Sequence, residues 1–395
     1  MAIQMTKLIH SLSTTDVTIY WPNFQKVAYA VYDDKSVYVF NHPNFPESPF
    51  VCLPWSEAFM GNTLILFQDY PTAIVHWDSC PDDATIYAVL VHEMFHGHQH
   101  VLGETRFPDE LKGITYPLLA DNAERRNRER FHLYHAVMET DSTARAAHLR
   151  QFILQREARA GRIEDFISYE LLTETVEGPA WYVELKAFAD QSGLPFNEAI
   201  QQYGESLLDK EESVRHVRRS CYSSGLFICL LLDQLCPDWQ VAFMETDRSL
   251  YSFFLQFVDV ENSEVEAVQI TEETVATLEC IREERAEALL EVERQAPVVL
   301  TIHGSIRITG IDPMNIIAGE KVALHKHFLR IFINEQEYLF QQPVIAEYVD
   351  HLFDCHQLKI MLNEQPEMLE HGVVIKGVGK FIGRFDEENL TLSIP

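Results

Sequence analysis

Alternating and clustered apolar residues fill the first eighty positions of the chain, helical spacing follows, and alternation returns towards the C-terminus. Val27-Ala28-Tyr29-Ala30-Val31-Tyr32 and Ser36-Val37-Tyr38-Val39-Phe40 flank Asp33-Asp34-Lys35, which predicts a hairpin of β-branched and aromatic strands. Thr63 to Phe67 and Thr72 to Trp77 predict two further strands, separated by a turn at Asp69-Tyr70-Pro71. This part of the chain is expected to form a small sheet.

The period changes after Trp77. Ser79, Pro81, Asp82 and Asp83 have the character of a helix start and Gly103 of its stop, and Ala84 to Val101 between them carries apolar residues at helical spacing. Longer helical stretches are expected from Ala120 to Ala160, Ile163 to Ala189, Phe196 to Leu208 and Val214 to Leu235. Between Thr271 and Gln295, Val275, Leu278, Ile281, Ala286, Leu289 and Val292 in a charge-rich run predict an amphipathic helix able to bridge two domains. Beyond Pro297, short apolar runs at 298–302, 305–309, 328–333, 358–362, 373–375 and 390–394 predict an all-β end. No internal repeat or low-complexity stretch interrupts this order.

The expected class is therefore α+β. A small N-terminal sheet and a mostly helical region make up residues 1–260, a helical linker covers 261–296, and a β-rich domain covers 297–395. With 395 residues, two domains are the natural expectation. Apolar residues at 47% and charged residues at 23% are the balance of a globular chain. The net charge of −29 opposes binding to nucleic acid phosphates or to an anionic membrane, so neither partner is expected. Met1 to Tyr20 does not read as a secretory signal, and Leu226 to Leu235, the longest apolar run, is about half of the ~20 residues a membrane span requires. Seven scattered cysteines without a CxxC pair argue against a disulfide framework or a thiolate zinc site. A reducing cytoplasm is the expected location.

The chemistry concentrates in His92-Glu93-Met94-Phe95-His96. On a helix, residues four apart share a face, so both imidazoles can reach one metal ion while Glu93 points to the neighbouring coordination space. Zinc suits two imidazoles and a carboxylate with one position left for water, whose proton Glu93 can take. The form of this motif that ends in a third histidine needs Gly at 99 and His at 102, but Gln99 and Leu102 stand there. The third ligand must then be a carboxylate from a later helix. Glu170, Glu174, Glu177 and Glu184 compete, and the small residues after Glu177 favour it by allowing close approach. His98, His100, His132 and His135 are expected to be exposed or to stand behind the ligands.

His92 to His96 taken with Glu177-Gly178-Pro179-Ala180-Trp181-Tyr182-Val183-Glu184 resembles the gluzincin zinc metallopeptidases, over roughly Tyr29 to Phe257. The resemblance implies a thermolysin-like domain binding one zinc ion per chain through His92, His96 and Glu177, with Glu93 as general base. Glu184, seven residues beyond Glu177, is then a partner that orients a histidine. Pro179 departs from a helix interior and predicts a helix start near Thr175, with Glu177 in its first turn. Tyr222-Ser223-Ser224-Gly225 resembles the Tyr-x-x-Gly element of the aminopeptidase-like branch, which implies Tyr222 as the oxyanion donor; His216, Arg218 and Arg219 are the alternatives. The element with which the aminopeptidases hold a free amine is not matched, since the nearest stretch reads Phe59-Met60-Gly61-Asn62-Thr63.

These residues predict zinc-dependent hydrolysis of peptide bonds in a peptide or protein substrate. Two other readings compete with it: a zinc-containing binding or regulatory protein with a non-catalytic site, and hydrolysis of a non-peptide amide or ester. The intact Glu93 speaks against the first, because a purely structural zinc site has no use for a base.

Overall fold

A computed structural model describes residues 11–12, 14–258, 264–349 and 352–394. By its internal contacts the chain divides into two compact units, one of residues 1–109 and 118–270, the other of residues 110–117 and 271–395.

The first unit begins with five strands: β1 (Ala28–Tyr32), β2 (Ser36–Phe40), β3 (Phe50–Pro54), β4 (Thr63–Phe67) and β5 (Tyr70–His76). They lie in the order β3-β2-β1-β5-β4, antiparallel except for the β1–β5 pair, in which Ala28 faces Thr72 and Tyr32 faces His76. β3 was not anticipated; it is an edge strand of mixed exposure ending in Pro54, and a proline is tolerated there because an edge has no partner for its missing N–H. β4 is the opposite edge.

A short 3-10 turn leads from β5 into helix α1 (Asp83–Val101), whose first turn is capped where Asp82 Oδ1 accepts from Thr85 N at 2.8 Å. Nearly all of α1 from Ile86 to Gln99 is buried. Its approach to the sheet is set by Gly97: a Cβ there would stand 2.4 Å from Val27 Cγ2, so no side chain fits. Trp21 wedges edge-on against Phe95, Tyr182 and Trp239 at centroid distances of 5.0, 6.0 and 5.2 Å, joining α1 to the helical layer.

That layer contains α2 (Ala120–Met138), α3 (Ser142–Ile163), α4 (Ile167–Ser192), α5 (Phe196–Leu208) and α6 (Val217–Leu235). The single helix expected from Ala120 to Ala160 is two antiparallel ones. The break falls at Glu139-Thr140-Asp141, where Asp141 Oδ1 caps α3 by accepting from Ala144 N at 2.8 Å. The helix start expected near Thr175 is also corrected, because α4 runs through Pro179 without ending. Residues from Tyr169 to Phe188 are mostly buried in this helix, and that packing outweighs the ~3 kcal/mol a proline costs in a helix interior. Among the described residues no helix is long and apolar enough to cross a membrane.

The second unit opens with α7 (Glu272–Gln295), capped by Thr271. Strands β6 (Val298–Ile311), β7 (Ile316–Ala318), β8 (Val322–His325), β9 (Leu329–Ile333), β10 (Gln336–Phe340), β11 (Val344–Tyr348) and β12 (Asp354–Leu362) form its main sheet in the order β10-β9-β6-β12-β11-β8-β7. The two runs expected at 298–302 and 305–309 are one long strand. Leu289 and Val292 of α7 pack against Leu324, Ile345 and Met361 of the sheet. The order of sheet, helices and second β region is the α+β architecture that the alternation of periods predicts.

Candidate metal centre

α1 and α4 bring the centre together. His92 and His96 lie one turn apart on α1, and Glu177 faces them from the middle of α4. The three offer one ligand atom each, all within 4.8 Å of one another. His96 Nε2 is 3.0 Å from His92 Nε2 and 3.1 Å from Glu177 Oε2, and His92 Nε2 is 3.6 Å from the same oxygen. Tetrahedral ligands about 2.1 Å from a zinc ion stand about 3.4 Å apart, so these separations suit the ion.

The donor set fits a cation as well as the distances do. His92 Nδ1 stands 2.8 Å from Glu184 Oε2. The carboxylate lies off the ring's N–H direction, so the contact is close without being a well-aligned hydrogen bond. Two lone pairs would repel at that distance, which puts the proton on Nδ1 and turns the Nε2 lone pair inward. Tyr203 Oη donates to the other oxygen of Glu184 at 2.9 Å. His96 Nδ1 is likewise occupied, at 2.8 Å from Gln99 Oε1. Both Nε2 lone pairs therefore face each other and a carboxylate oxygen, an arrangement that a shared divalent ion relieves.

Charge in the centre is mostly negative and mostly buried. Burial pulls the His92 imidazole down, yet Glu177, Glu184 and Glu93 together hold it well above its ordinary range. For His96 burial also lowers, and Glu177 and Glu93 again outweigh it. Burial alone would raise the Glu177 carboxyl, but the two rings bring it well below the usual range. Glu93 is the exception: buried beside the rings, its carboxyl is raised, because desolvation exceeds their attraction.

α6 supplies the far wall by crossing α4 at two glycines. A Cβ on Gly178 would meet the backbone of Gly225 at 2.7 Å, and one on Gly225 would meet Gly178 Cα at 2.6 Å. One turn before Gly225 is Tyr222, whose ring lies nearly parallel to that of His92 with centroids 6.2 Å apart, and whose hydroxyl feels the charges of Glu177 and Arg218. Arg218 Nη2 donates to Glu177 Oε1 at 2.9 Å, leaving Oε2 to the imidazoles. His216 is exposed, and Arg219, also exposed, faces Glu212 at 3.8 Å.

The competing carboxylates have other partners. Glu170 pairs with Arg126 and Arg159, Glu174 with Arg156 and Ser224, and Glu184 with His92. His98, expected to be exposed or behind the ligands, is instead a core residue: it is 1% exposed, packs on Phe24 and Phe95, and accepts from Gln25 N, and burial holds its imidazole at about 4. His132 is buried too, bonded to His148 and Glu266 well away from the motif in sequence. Sequence reasoning missed Gln99 and Tyr203. Gln99 was noticed only for the motif it excludes, and Tyr203 carries no local signal, since its role depends on α5 packing beside α4.

The arrangement of His92, Glu93 and His96 with Glu177 matches the gluzincin signature of HExxH plus a distant glutamate. Comparison of the chain with known family models, with curated proteins and with solved structures found no match. The geometry of His92, His96 and Glu177 supports one zinc site per chain and zinc-dependent hydrolysis of peptide bonds.

Proposed function

We propose that this chain is a zinc peptidase in which His92, His96 and Glu177 hold the ion and Glu93 is the general base. The observation that carries the proposal is the convergence of three ligand atoms within 4.8 Å beside the buried carboxylate of Glu93. When bound, zinc supplies Lewis-acid polarisation and lowers the pKa of water at its open position. Glu93, buried beside the two imidazoles, would be the base that accepts a proton from the attacking water and returns it to the leaving amine. Tyr222 and Arg218 donate to the oxygen that becomes negative as the carbonyl is attacked.

A peptide substrate is favoured by β4. It is a sheet edge in contact with α1, and its unpaired N–H and C=O groups can accept an extended peptide as a further strand. An ester or small amide has no use for such an edge. We assign the chemistry to the N-terminal part, residues 1–260, and a separate role to the β-rich residues 297–395. A cytoplasmic location belongs to the same reading, supported by seven scattered cysteines without a CxxC pair.

The test is metal content together with cleavage of a peptide library. Zinc near one per chain, cleavage abolished by a chelator, and a ~10²–10⁴-fold loss of turnover in Glu93→Gln with zinc retained are the expected results. Normal hydrolysis by Glu93→Gln would refute the mechanism.

A further inference from the structure

We propose that Gln99 is a positioning residue of the metal centre, a single side chain that fixes both the tautomer of His96 and the distance from His96 to the turn carrying Glu177. The inference rests on the zinc reading above and adds a part to it. His92, His96 and Gln99 stand at i, i+4 and i+7 on α1, so all three point from one face towards α4. Gln99 is 3% exposed and makes two hydrogen bonds at its two ends. Its Nε2 donates to Val176 O at 2.9 Å, and its Oε1 lies 2.8 Å from His96 Nδ1.

Chemistry removes the ambiguity of the amide. A backbone carbonyl only accepts, so the group facing Val176 must be the NH2, and the oxygen must then face His96. That oxygen also only accepts, which forces the proton of His96 onto Nδ1. The Nε2 lone pair is left directed at His92 Nε2 and Glu177 Oε2, 3.0 and 3.1 Å away. Val176 is the chain neighbour of Glu177. One side chain therefore clamps the second ligand to the backbone beside the third.

The two imidazoles are held differently. His92 has a carboxylate behind it and His96 a neutral amide. A carboxylate at position 99 would accept from His96 equally well but would set an oxygen against Val176 O. It would also bring a fourth acidic group to a centre that already contains Glu93, Glu177 and Glu184. An amide of this length joins the N–H of His96 to the carbonyl of Val176 without adding charge.

The experiment measures zinc affinity by chelator competition in the full-length chain and in Gln99→Met, which keeps the length and loses both hydrogen bonds. A loss of ~10–100-fold is expected, with an altered visible absorption of the cobalt-substituted protein. Gln99→Glu, retaining only the acceptor, is expected to weaken zinc as well. Parental affinity and cobalt spectrum in Gln99→Met would overturn the inference. So would a lowered unfolding midpoint of the chelator-treated variant with unchanged cobalt absorption, which marks a purely structural role. Should the variants fail to fold, ring-nitrogen NMR of the zinc-loaded parent decides: coordination of His96 through Nε2 with a proton on Nδ1 is expected, and coordination through Nδ1 refutes the proposal. Failure of the parent to bind zinc overturns the metal centre itself, whereas parental binding in Gln99→Met overturns the role of Gln99 alone.

Discussion

Three glutamates of α4, at 170, 174 and 177, line one face of the same helix and have two different fates. Glu170 and Glu174 belong to a buried network in which Arg126, Arg156 and Arg159 meet them and Glu129, with N–O distances of 2.6 to 3.1 Å. Three carboxylates face three guanidiniums there. One turn further on, Glu177 meets one guanidinium, Arg218, on one oxygen and two imidazoles on the other. With Glu93 and Glu184 added, and with both rings neutral as a metal requires, three carboxylates face one guanidinium. Burial and carboxylate count are alike in both places; what separates a structural cluster from a metal site is whether the protein supplies the countercharge itself.

The largest test of this contrast is to unbalance the network. Arg156→Met removes the partner shared by Glu129 and Glu174, leaving Glu174 without a guanidinium and Glu129 with Arg159 alone, so unfolding in urea should show a loss of ~3–5 kcal/mol. The same variant, once folded, should bind zinc as the parent does. A marked loss of zinc affinity in the folded variant would mean that the two clusters are one.

Metal and pH separate the clusters next. Zinc at a hundredfold excess over its Kd should stabilise the chain by ~2.7 kcal/mol, measured as a rise in the thermal midpoint on adding zinc to chelator-treated protein. In the chelated protein His92 and His96 are raised, so their contribution is complete below about 6.5 and is lost as pH climbs through the folded-state value. Zinc requires the neutral rings, so the zinc-dependent increment should grow over the same alkaline range. The network behaves oppositely. Burial would raise Glu129, but Arg156 and Arg159 hold it down, so its contribution is complete above about 4.3 and is lost only as pH falls through the lowered value. A zinc increment that shrinks as pH rises would break the comparison.

The smallest effect is expected from Glu184→Gln, which replaces the carboxylate behind His92 by an amide like that behind His96. Zinc affinity should fall by ~10–100-fold while the chelated protein keeps its unfolding midpoint within a few degrees. Unchanged affinity would show that Glu184 does not orient the ring.

The legibility of these parts in the sequence follows their physical range. His92, Glu93 and His96 are readable because a helix fixes their relation within five residues, and Glu177 because a second short element accompanies it. Four of the five strands of the first sheet are readable from their β-branched and aromatic runs, and β3, a half-exposed edge, is not. Arg218 is readable as a candidate oxyanion donor, but its contact with Glu177 and the contact of Gln99 with Val176 are not, since each spans more than forty positions through the packing of two helices. The same holds for the arginine network. Arg156 and Arg159 on α3 have no reading of their own in the sequence, and only the antiparallel return at Glu139-Thr140-Asp141 turns them inward onto α2 and α4. Pro179 misled because local propensity was weighed without the burial that overrides it.

The Gly178–Gly225 contact sets a tolerance for everything built around it. With backbone against backbone, α4 and α6 cannot come nearer, and a single added methyl on either would have to prise them apart. Glu177 is adjacent to one glycine and Tyr222 one turn from the other, so any such parting would be read out at once as a gap between ligand and hydroxyl. The precision of the centre is thus guarded by two positions that have no side chain at all.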